Sequence, residues 1–281
     1  MAITAAMVKE LREMTGAGMM DCKKALVEVE GDLEKAVDWL RQKGMSKAAK
    51  KSGRATSEGL VRIARAADAV AMSALLCETD FVARGEQFIA MADKLAATVL
   101  EKAPADAEAL QGLIGEDLTQ LIASVGENMT LGNFVRVPVA ANAFVGQYIH
   151  ANNKIGVLVT VECGDAASVA KPEVAELAKN VAMQVAATNP MALDESSLDA
   201  AAVEREREVY RQKAIEEGKP AQIVERIADG AVKKFCKEVC LIDQPYIRDD
   251  KKSIADVVRE AGKACGDTLK VVAFTRIQLG A

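Results

Sequence analysis

One pattern that occurs twice along this chain constrains its fold more than any other feature. An apolar stretch ends at a cysteine and a polar turn, and a long helical pattern follows; the apolar stretches are residues 70–77 and 155–163. Each copy also closes with a strand-like segment, FVRV at residues 134–137 and FTRI at residues 274–277. Strands and helices repeated in this way predict an α+β core of two related subdomains.

The two copies differ in length. Cys77 and Cys163 are 86 residues apart, whereas Arg136 and Arg276 are 140 residues apart, so the second copy holds about 54 additional residues. The predicted bounds of the two subdomains are residues 58–140 and 141–281.

The additional residues coincide with two strongly charged helical patterns on either side of a GKP sequence at residues 218–220. Gly and Pro favour a turn between antiparallel helices. The apolar residues along both patterns are sparse, as is typical of a two-stranded coiled coil with wet outer faces. We therefore predict a projecting helical hairpin at about residues 198–236, which either contacts a partner or is a surface pair of helices with no partner.

Residues 1–44 predict a small domain of three helices. Thr4 is a suitable cap for the first helix, and Gly16 interrupts the pattern before a second helix that begins at about Met20. The third helix follows Asp32 and ends near residue 44. A unit of this size is only marginally stable alone.

Residues 45–57 are basic and rich in small side chains, with Lys47, Lys50, Lys51 and Arg54 among Ala, Ser and Gly. This composition predicts a flexible linker. A nucleic-acid-binding arm is the alternative, but the segment lacks the interleaved aromatic residues that would favour it.

Composition and charge limit the classes of partner. The chain is 50% hydrophobic but only 4% aromatic, which favours helices packed on sheets over an all-β fold. Its net charge of −5 divides into +3 for residues 1–54 and −8 for the remainder. An acidic body argues against broad binding to a phosphate backbone, so proteins are the expected partners and no nucleic acid is expected.

The sequence contains no recognisable motif for a metal site, a cofactor site or an enzyme active site. The six cysteines are scattered without a CxxC motif, and His150 is the single histidine, so we expect free thiols and no metal site. The TGAG sequence at residues 15–18 lacks the Gly-Lys-Ser/Thr of a phosphate loop, so no direct nucleotide binding and no cofactor are expected. Without a leader sequence or a membrane span, the chain is expected to be cytoplasmic.

The junction at residues 79–82, TDFV, carries the most functional information. Asp and Thr both favour helix starts, so Asp80 has an ordinary role as a cap. Phe81 lies seven residues before Phe88, on the same face of a continuous helix, which favours burial in the protein's own core.

A resemblance to a known family changes that balance. The sequences ETDFVA at residues 78–83 and LREMTGAGMMDCKKAL at residues 11–26 resemble the two signatures of the elongation factor Ts family, in the expected order and separation. A third and looser match has YIH at residues 148–150 and GVLV at residues 156–159. The resemblance extends over residues 3–277, and the first domain is similar to a ubiquitin-associated fold.

The resemblance implies a translation elongation factor that binds the GTPase elongation factor Tu and promotes GDP release without covalent chemistry, and hence not an enzyme. In that family Asp80 and Phe81 would insert into the G domain of the partner and disturb its magnesium–phosphate site. The implied partner-binding residues are Thr79, Asp80, Phe81, Val82, Met19, Met20, Leu11 and His150. For Met19 and Met20 the alternative is packing within the helical domain, and for His150 it is a structural role.

A ribosome- or RNA-associated binding module is the second hypothesis for the whole chain, since the basic linker and the helical domain could serve it. Some family members continue beyond the last strand, and contacts made by such a tail are not expected for this chain.

Overall fold

The computed structural model describes residues 3–280, so the predicted domain bounds at residues 1 and 281 lie outside the described residues. The described part is mixed helix and strand, as expected for an α+β protein. Its ten helices are α1 (Ala5–Thr15), α2 (Met19–Glu28), α3 (Leu33–Ala49), α4 (Asp80–Ala83), α5 (Glu86–Lys102), α6 (Ala107–Val125), α7 (Pro172–Thr188), α8 (Ala200–Glu216), α9 (Ala221–Val239) and α10 (Ile254–Cys265). Its eight strands are β1 (Glu58–Arg65), β2 (Ala69–Cys77), β3 (Met129–Pro138), β4 (Ala143–Ile149), β5 (Ile155–Cys163), β6 (Pro245–Tyr246), β7 (Asp249–Ser253) and β8 (Leu269–Gln278).

The chain forms two compact units, of which the first comprises the described parts of residues 1–136, 151–154 and 277–281. It holds α1–α3 and a three-stranded sheet in the order β1-β2-β3, with β1 and β2 antiparallel. Helix α5 packs on β1 and β2, and the buried faces of α5 and α6 share one apolar core with the sheet.

The second unit comprises residues 137–150 and 155–276. Its sheet has the order β4-β5-β8, again beginning with an antiparallel pair, and α7 packs on β4 and β5. A Cβ atom at Gly146 of β4 would lie 2.5 Å from the Cβ atom of Ala178, so only glycine allows α7 to approach this strand so closely. The second unit thus repeats the strand order of the first.

The hairpin expected in the second copy is present as α8 and α9, with bounds within a few residues of the prediction. Gly218 adopts φ +72° in the turn, a conformation that glycine adopts without strain. Arg211 of α8 is paired with Glu225 of α9 at 3.0 Å, and Arg207 with Asp229 at 2.7 Å. Charged pairs therefore flank an apolar seam, and one end of this seam, around Val232 and Cys236, forms a small buried cluster.

The start of the helical domain follows its sequence, whereas its end does not. The hydroxyl of Thr4 accepts a hydrogen bond from Met7 N, as expected of a cap. Helix α3, however, continues through Ala49, five residues beyond the predicted end. Helix α3 packs against α6 on both sides of Gly44: Arg41 pairs with Glu116 at 2.7 Å, and Ala48 packs against the apolar core that α6 shares. This packing overrides the weak helix propensity of Gly44.

The basic segment predicted as a flexible linker is partly helical and is engaged with the rest of the first unit. Lys47 pairs with Asp21 at 2.8 Å, and Lys51 Nζ donates to the carbonyl of Ile122 at 3.4 Å. Lys47 and Lys51 therefore have protein partners and are not simply solvated.

All six cysteines are buried free thiols. Burial raises the pKa of Cys77 to about 12 and that of Cys240 to about 11. Among residues 3–280, no helix combines the length and the apolar character needed to cross a membrane.

Candidate functional site: an exposed aromatic turn

The TDFV sequence forms a short helical turn directly after the central strand of the first sheet. Strand β2 ends at Cys77, and α4 begins at Asp80. Thr79 is the cap of α4, because its hydroxyl accepts from Val82 N at 3.4 Å, whereas Asp80 occupies the first helical position. Asp80 pairs instead with Arg84, one turn further on, at 2.9 Å. The cap expected at Asp80 is thus supplied by its neighbour.

Phe81 is the most exposed large apolar side chain of the described residues, with 84% of its surface accessible. The expectation of burial assumed one continuous helix from Phe81 to Phe88. The helix instead ends at Ala83, and a new one begins after Gly85, so the seven-residue spacing does not bring the two rings to one face. Phe88 is buried in the core, whereas Phe81 points outward.

A pair of acidic residues holds this turn in place. The carboxylate of Glu127, just before β3, accepts from Thr79 N at 3.1 Å and from the Thr79 hydroxyl at 2.7 Å. In return, the carboxylate of Glu78 accepts from Asn128 N at 2.6 Å. Each acid therefore takes the backbone N–H of the residue that follows the other acid, and we call this arrangement the reciprocal clasp.

The surroundings of Glu78 favour its charged form. The hydrogen bond from Asn128 N lowers the pKa of Glu78, and the guanidinium of Arg54, 3.4 Å away, contributes in the same direction. The Cys77 thiol donates to the Thr79 carbonyl at 3.2 Å and stays protonated because burial raises its pKa. The backbone polar groups at the start of the turn therefore have hydrogen-bond partners within the protein.

The methionines expected at the partner surface are exposed at the start of α2. Met19 is 46% and Met20 is 76% exposed, and Met14 at the end of α1, which the sequence did not single out, is 61% exposed. Leu11 is fully buried in the core of the helical domain, so its expected partner contact is wrong: its position on the inner face of α1 commits it to packing.

The loop between α1 and α2 and the start of α5 share a groove of about 340 Å³. Its lining includes Thr15 and Gly16 of the loop, Gln87 and Ala90 of α5, and residues of α6 between positions 117 and 124. The loop that precedes the exposed methionines and the helix that follows the aromatic turn therefore lie close together in the first unit.

His150 belongs to the second unit, at the end of β4. Its ring is exposed, and its Nδ1 atom lies 3.1 Å from the Tyr148 hydroxyl. Its backbone N–H donates to the carbonyl of Ile155 and closes the turn between β4 and β5. Within residues 3–280, no three His, Cys, Asp or Glu side chains form a group suited to a metal ion.

The clasp residues Glu127 and Asn128 were not found by reading the sequence. Thr79 and Glu127 are 48 residues apart, and nothing in the local pattern links them. The internal repeat carries the signal: the carboxylate of Asp267 accepts from Asp165 N at 3.0 Å in the second copy. In both copies, the acid precedes the last strand of the sheet by two residues, and the N–H follows the strand-ending cysteine by two residues.

Comparison with known proteins agrees with the resemblance of the sequence. The family model described as "Elongation factor TS" matches residues 78–281. Elongation factor Ts of Desulfovibrio desulfuricans is 75% identical over all of this chain and 99% of its own length. The proteins of the same name from Nitratidesulfovibrio vulgaris and Lawsonia intracellularis are 57% and 47% identical, again over all of this chain and over 96% and 99% of their own lengths. The chain belongs to the elongation factor Ts family of translation elongation factors.

Proposed function

We propose that this chain accelerates GDP release from the GTPase elongation factor Tu by inserting Phe81 into the partner's G domain. The observation that carries the proposal is the 84% exposure of Phe81 on a turn whose backbone is fixed by hydrogen bonds. Aromatic side chains presented in this way are typical anchors of protein interfaces.

The free energy gained by burying the ring is modest, but it is enough to shift a neighbouring loop of the partner between two conformations. Burying a Phe side chain contributes about 1.5–3 kcal/mol. Because the turn is already ordered before binding, little of this free energy is spent on ordering it. A GTPase holds its nucleotide largely through a phosphate loop and a bound Mg²⁺, so displacing the groups that organise the metal hastens release. The action needs no covalent chemistry.

The neighbouring residues would have supporting roles. Asp80 would aid the placement of Phe81 in the partner. Thr79 fixes the start of the turn, and Val82, half-buried against the core, anchors its inner side. Met19 and Met20 would form a second contact, since flexible thioether side chains adapt to an apolar groove. The hairpin of α8 and α9 would spread the contact over more of the partner.

The cycle follows from linkage. If the chain weakens the binding of nucleotide to its partner by some factor, nucleotide weakens the binding of the chain by the same factor. Rebinding of nucleotide would then release the chain and free it for another round.

The RNA-binding hypothesis gains no support from the basic segment. Lys47 and Arg54 pair with acidic side chains, and Lys51 donates to a carbonyl, so these cations are already engaged within the protein. They contribute less to a counterion-releasing surface than the sequence suggested.

The test is the release of a fluorescent GDP from elongation factor Tu with wild-type protein, Phe81→Ala and the control Ile247→Ala. Ile247 is an exposed apolar residue of the second unit outside the proposed contacts. We expect Phe81→Ala to slow release by about tenfold to a hundredfold, the equivalent of 1.5–3 kcal/mol, with unchanged thermal unfolding. Release by Phe81→Ala at the rate of the wild type would contradict the proposal.

A further inference from the structure

The first residue of the aromatic turn, Thr79, is held by Glu127, which lies 48 residues further along the chain. Both oxygens of the Glu127 carboxylate are used, one by the Thr79 N–H and the other by the Thr79 hydroxyl, which donates. The same hydroxyl accepts from Val82 N and so caps α4. Glu127 therefore fixes the cap of the helix that carries Phe81.

Helix α4 has only four residues and cannot be stable by itself, because nucleating a helix fixes several residues for very few hydrogen bonds. Its orientation depends on what holds its first residue. Ala83 is buried and holds the end of the turn, and the link to Glu127 holds the beginning.

The second copy supplies a natural comparison. Asp267 accepts from Asp165 N at 3.0 Å, at the equivalent place in the repeat. Four residues after the strand-ending cysteine, the first copy has Phe81 and the second has Ala167. The second copy thus has a similar carboxylate link without an aromatic side chain to present.

We propose that Glu127 is a positioning residue for nucleotide exchange: through Thr79 it sets the direction in which Phe81 leaves the surface. This inference rests on the proposed function of Phe81 and adds a residue that does not itself touch the partner.

Removing the carboxylate predicts a specific defect. In Glu127→Ala, the Thr79 N–H and hydroxyl lose their charged acceptor, and the turn becomes free to sample other orientations. Phe81 must then be ordered as it enters the partner, and that ordering opposes binding. Contacts made elsewhere persist, so the maximal rate of GDP release should fall more than the half-saturating concentration rises.

A double-mutant cycle distinguishes positioning from general stability. We expect Glu127→Ala to lower the maximal rate of GDP release by about tenfold, because hydrogen bonds to a charged group are lost. In a Phe81→Ala background the same change should have no further effect. Asp267→Ala, the matched control in the second copy, should leave the rate within about twofold of the wild type.

The conservative variant provides a rescue. In Glu127→Gln, the amide oxygen can accept from Thr79 N while the amide group donates to the hydroxyl, so the turn stays partly tethered. We expect an intermediate rate, with the same dependence on Phe81. If Glu127→Ala fails to fold, the cycle is carried out with Glu127→Gln.

The outcomes separate the two claims. A normal rate for Phe81→Ala alone would overturn the proposed function. A clear loss for Phe81→Ala, combined with an equal further loss on adding Glu127→Ala, would overturn the positioning role only. A loss in Asp267→Ala as large as that in Glu127→Ala would also overturn it.

Discussion

The two copies differ in the side chain that they expose where a strand ends and a helix begins. In both copies, an acidic residue just before the last strand of the sheet accepts a hydrogen bond from this junction. After Cys77, the chain forms a capped helical turn with Phe81 exposed; after Cys163, it enters a 3-10 helix (Ala166–Ala170) capped by Asp165. In the first copy, the clasp supports a large apolar side chain in solvent. In the second copy, a single carboxylate link from Asp267 lies beside small residues. The comparison teaches that the scaffold of the repeat is separable from the side chain that it presents.

The largest expected effect comes from moving the aromatic side chain between the copies. We expect Phe81→Ala combined with Ala167→Phe to release GDP as slowly as Phe81→Ala alone, about tenfold to a hundredfold below the wild type. Ala167 is exposed, so the added ring meets no packed core. Fluorescent GDP release measures the effect, and recovery of the wild-type rate would show that any exposed ring on this scaffold suffices.

Removing the helix cap at each junction should have a smaller effect, of similar size in the two copies. Thr79→Val removes the hydroxyl that caps α4, and Asp165→Ala removes the carboxylate that accepts from Ala167 N at 2.9 Å. Each should lower the free energy of unfolding by about 1 kcal/mol in denaturant titrations. Only Thr79→Val should also slow GDP release; an equal slowing by Asp165→Ala would mean that the copies are not functionally distinct.

Glu78 in the first copy and Asp267 in the second should stabilise the fold over different ranges of pH. Hydrogen bonds from Asn128 N and Asp165 N lower the pKa values of Glu78 and Asp267 below their usual 4.5 and 3.8. Each therefore contributes stability that is fully present above its usual value and is lost as the pH falls through the lower folded-state pKa, since the unfolded chain binds more protons there. Glu78→Gln should flatten the pH dependence of unfolding below about 4.5, and Asp267→Asn only below about 3.8. Chemical unfolding at a series of pH values measures the effect. If both substitutions altered the free energy of unfolding over the same range of pH, the prediction would be wrong.

The smallest effect is expected from the surface pair of Asp80 and Arg84. Both side chains are substantially exposed, so Arg84→Ala should change the free energy of unfolding by only about 0.2–0.5 kcal/mol. It should also leave GDP release close to the wild-type rate, because Thr79 and Glu127 still hold the turn. A large loss of exchange would mean that the pair, and not the clasp, directs Phe81.

Much of this fold could be predicted from local signals. The strands that end at Cys77 and Cys163 and the Gly-Pro turn of the hairpin are local features, and the structure has them where the sequence indicates. The end of α3 could not be predicted, because packing against α6 continues the helix through a glycine. Local propensity describes a segment, whereas a helix end also depends on its neighbours.

The candidate site shows the same division. The family signature located Phe81, but periodicity alone favoured its burial, because the pattern does not reveal the break at Gly85. Leu11 shows the opposite error, since the signature includes a residue that serves the core of the helical domain. Glu127 lies too far along the chain for local reasoning, and only the comparison of the repeats could have identified it.

The burial of every native cysteine has a practical consequence for experiments on this protein. Thiol-directed dyes react with accessible thiolates, and the native sulfur atoms are shielded, with protonation at Cys77 and Cys240 favoured far above neutral pH. An Ile247→Cys variant, at an exposed residue outside the proposed contacts, would therefore take up a single label without prior removal of the native cysteines. Such a chemical handle would allow docking to be followed by energy transfer in an otherwise unaltered chain.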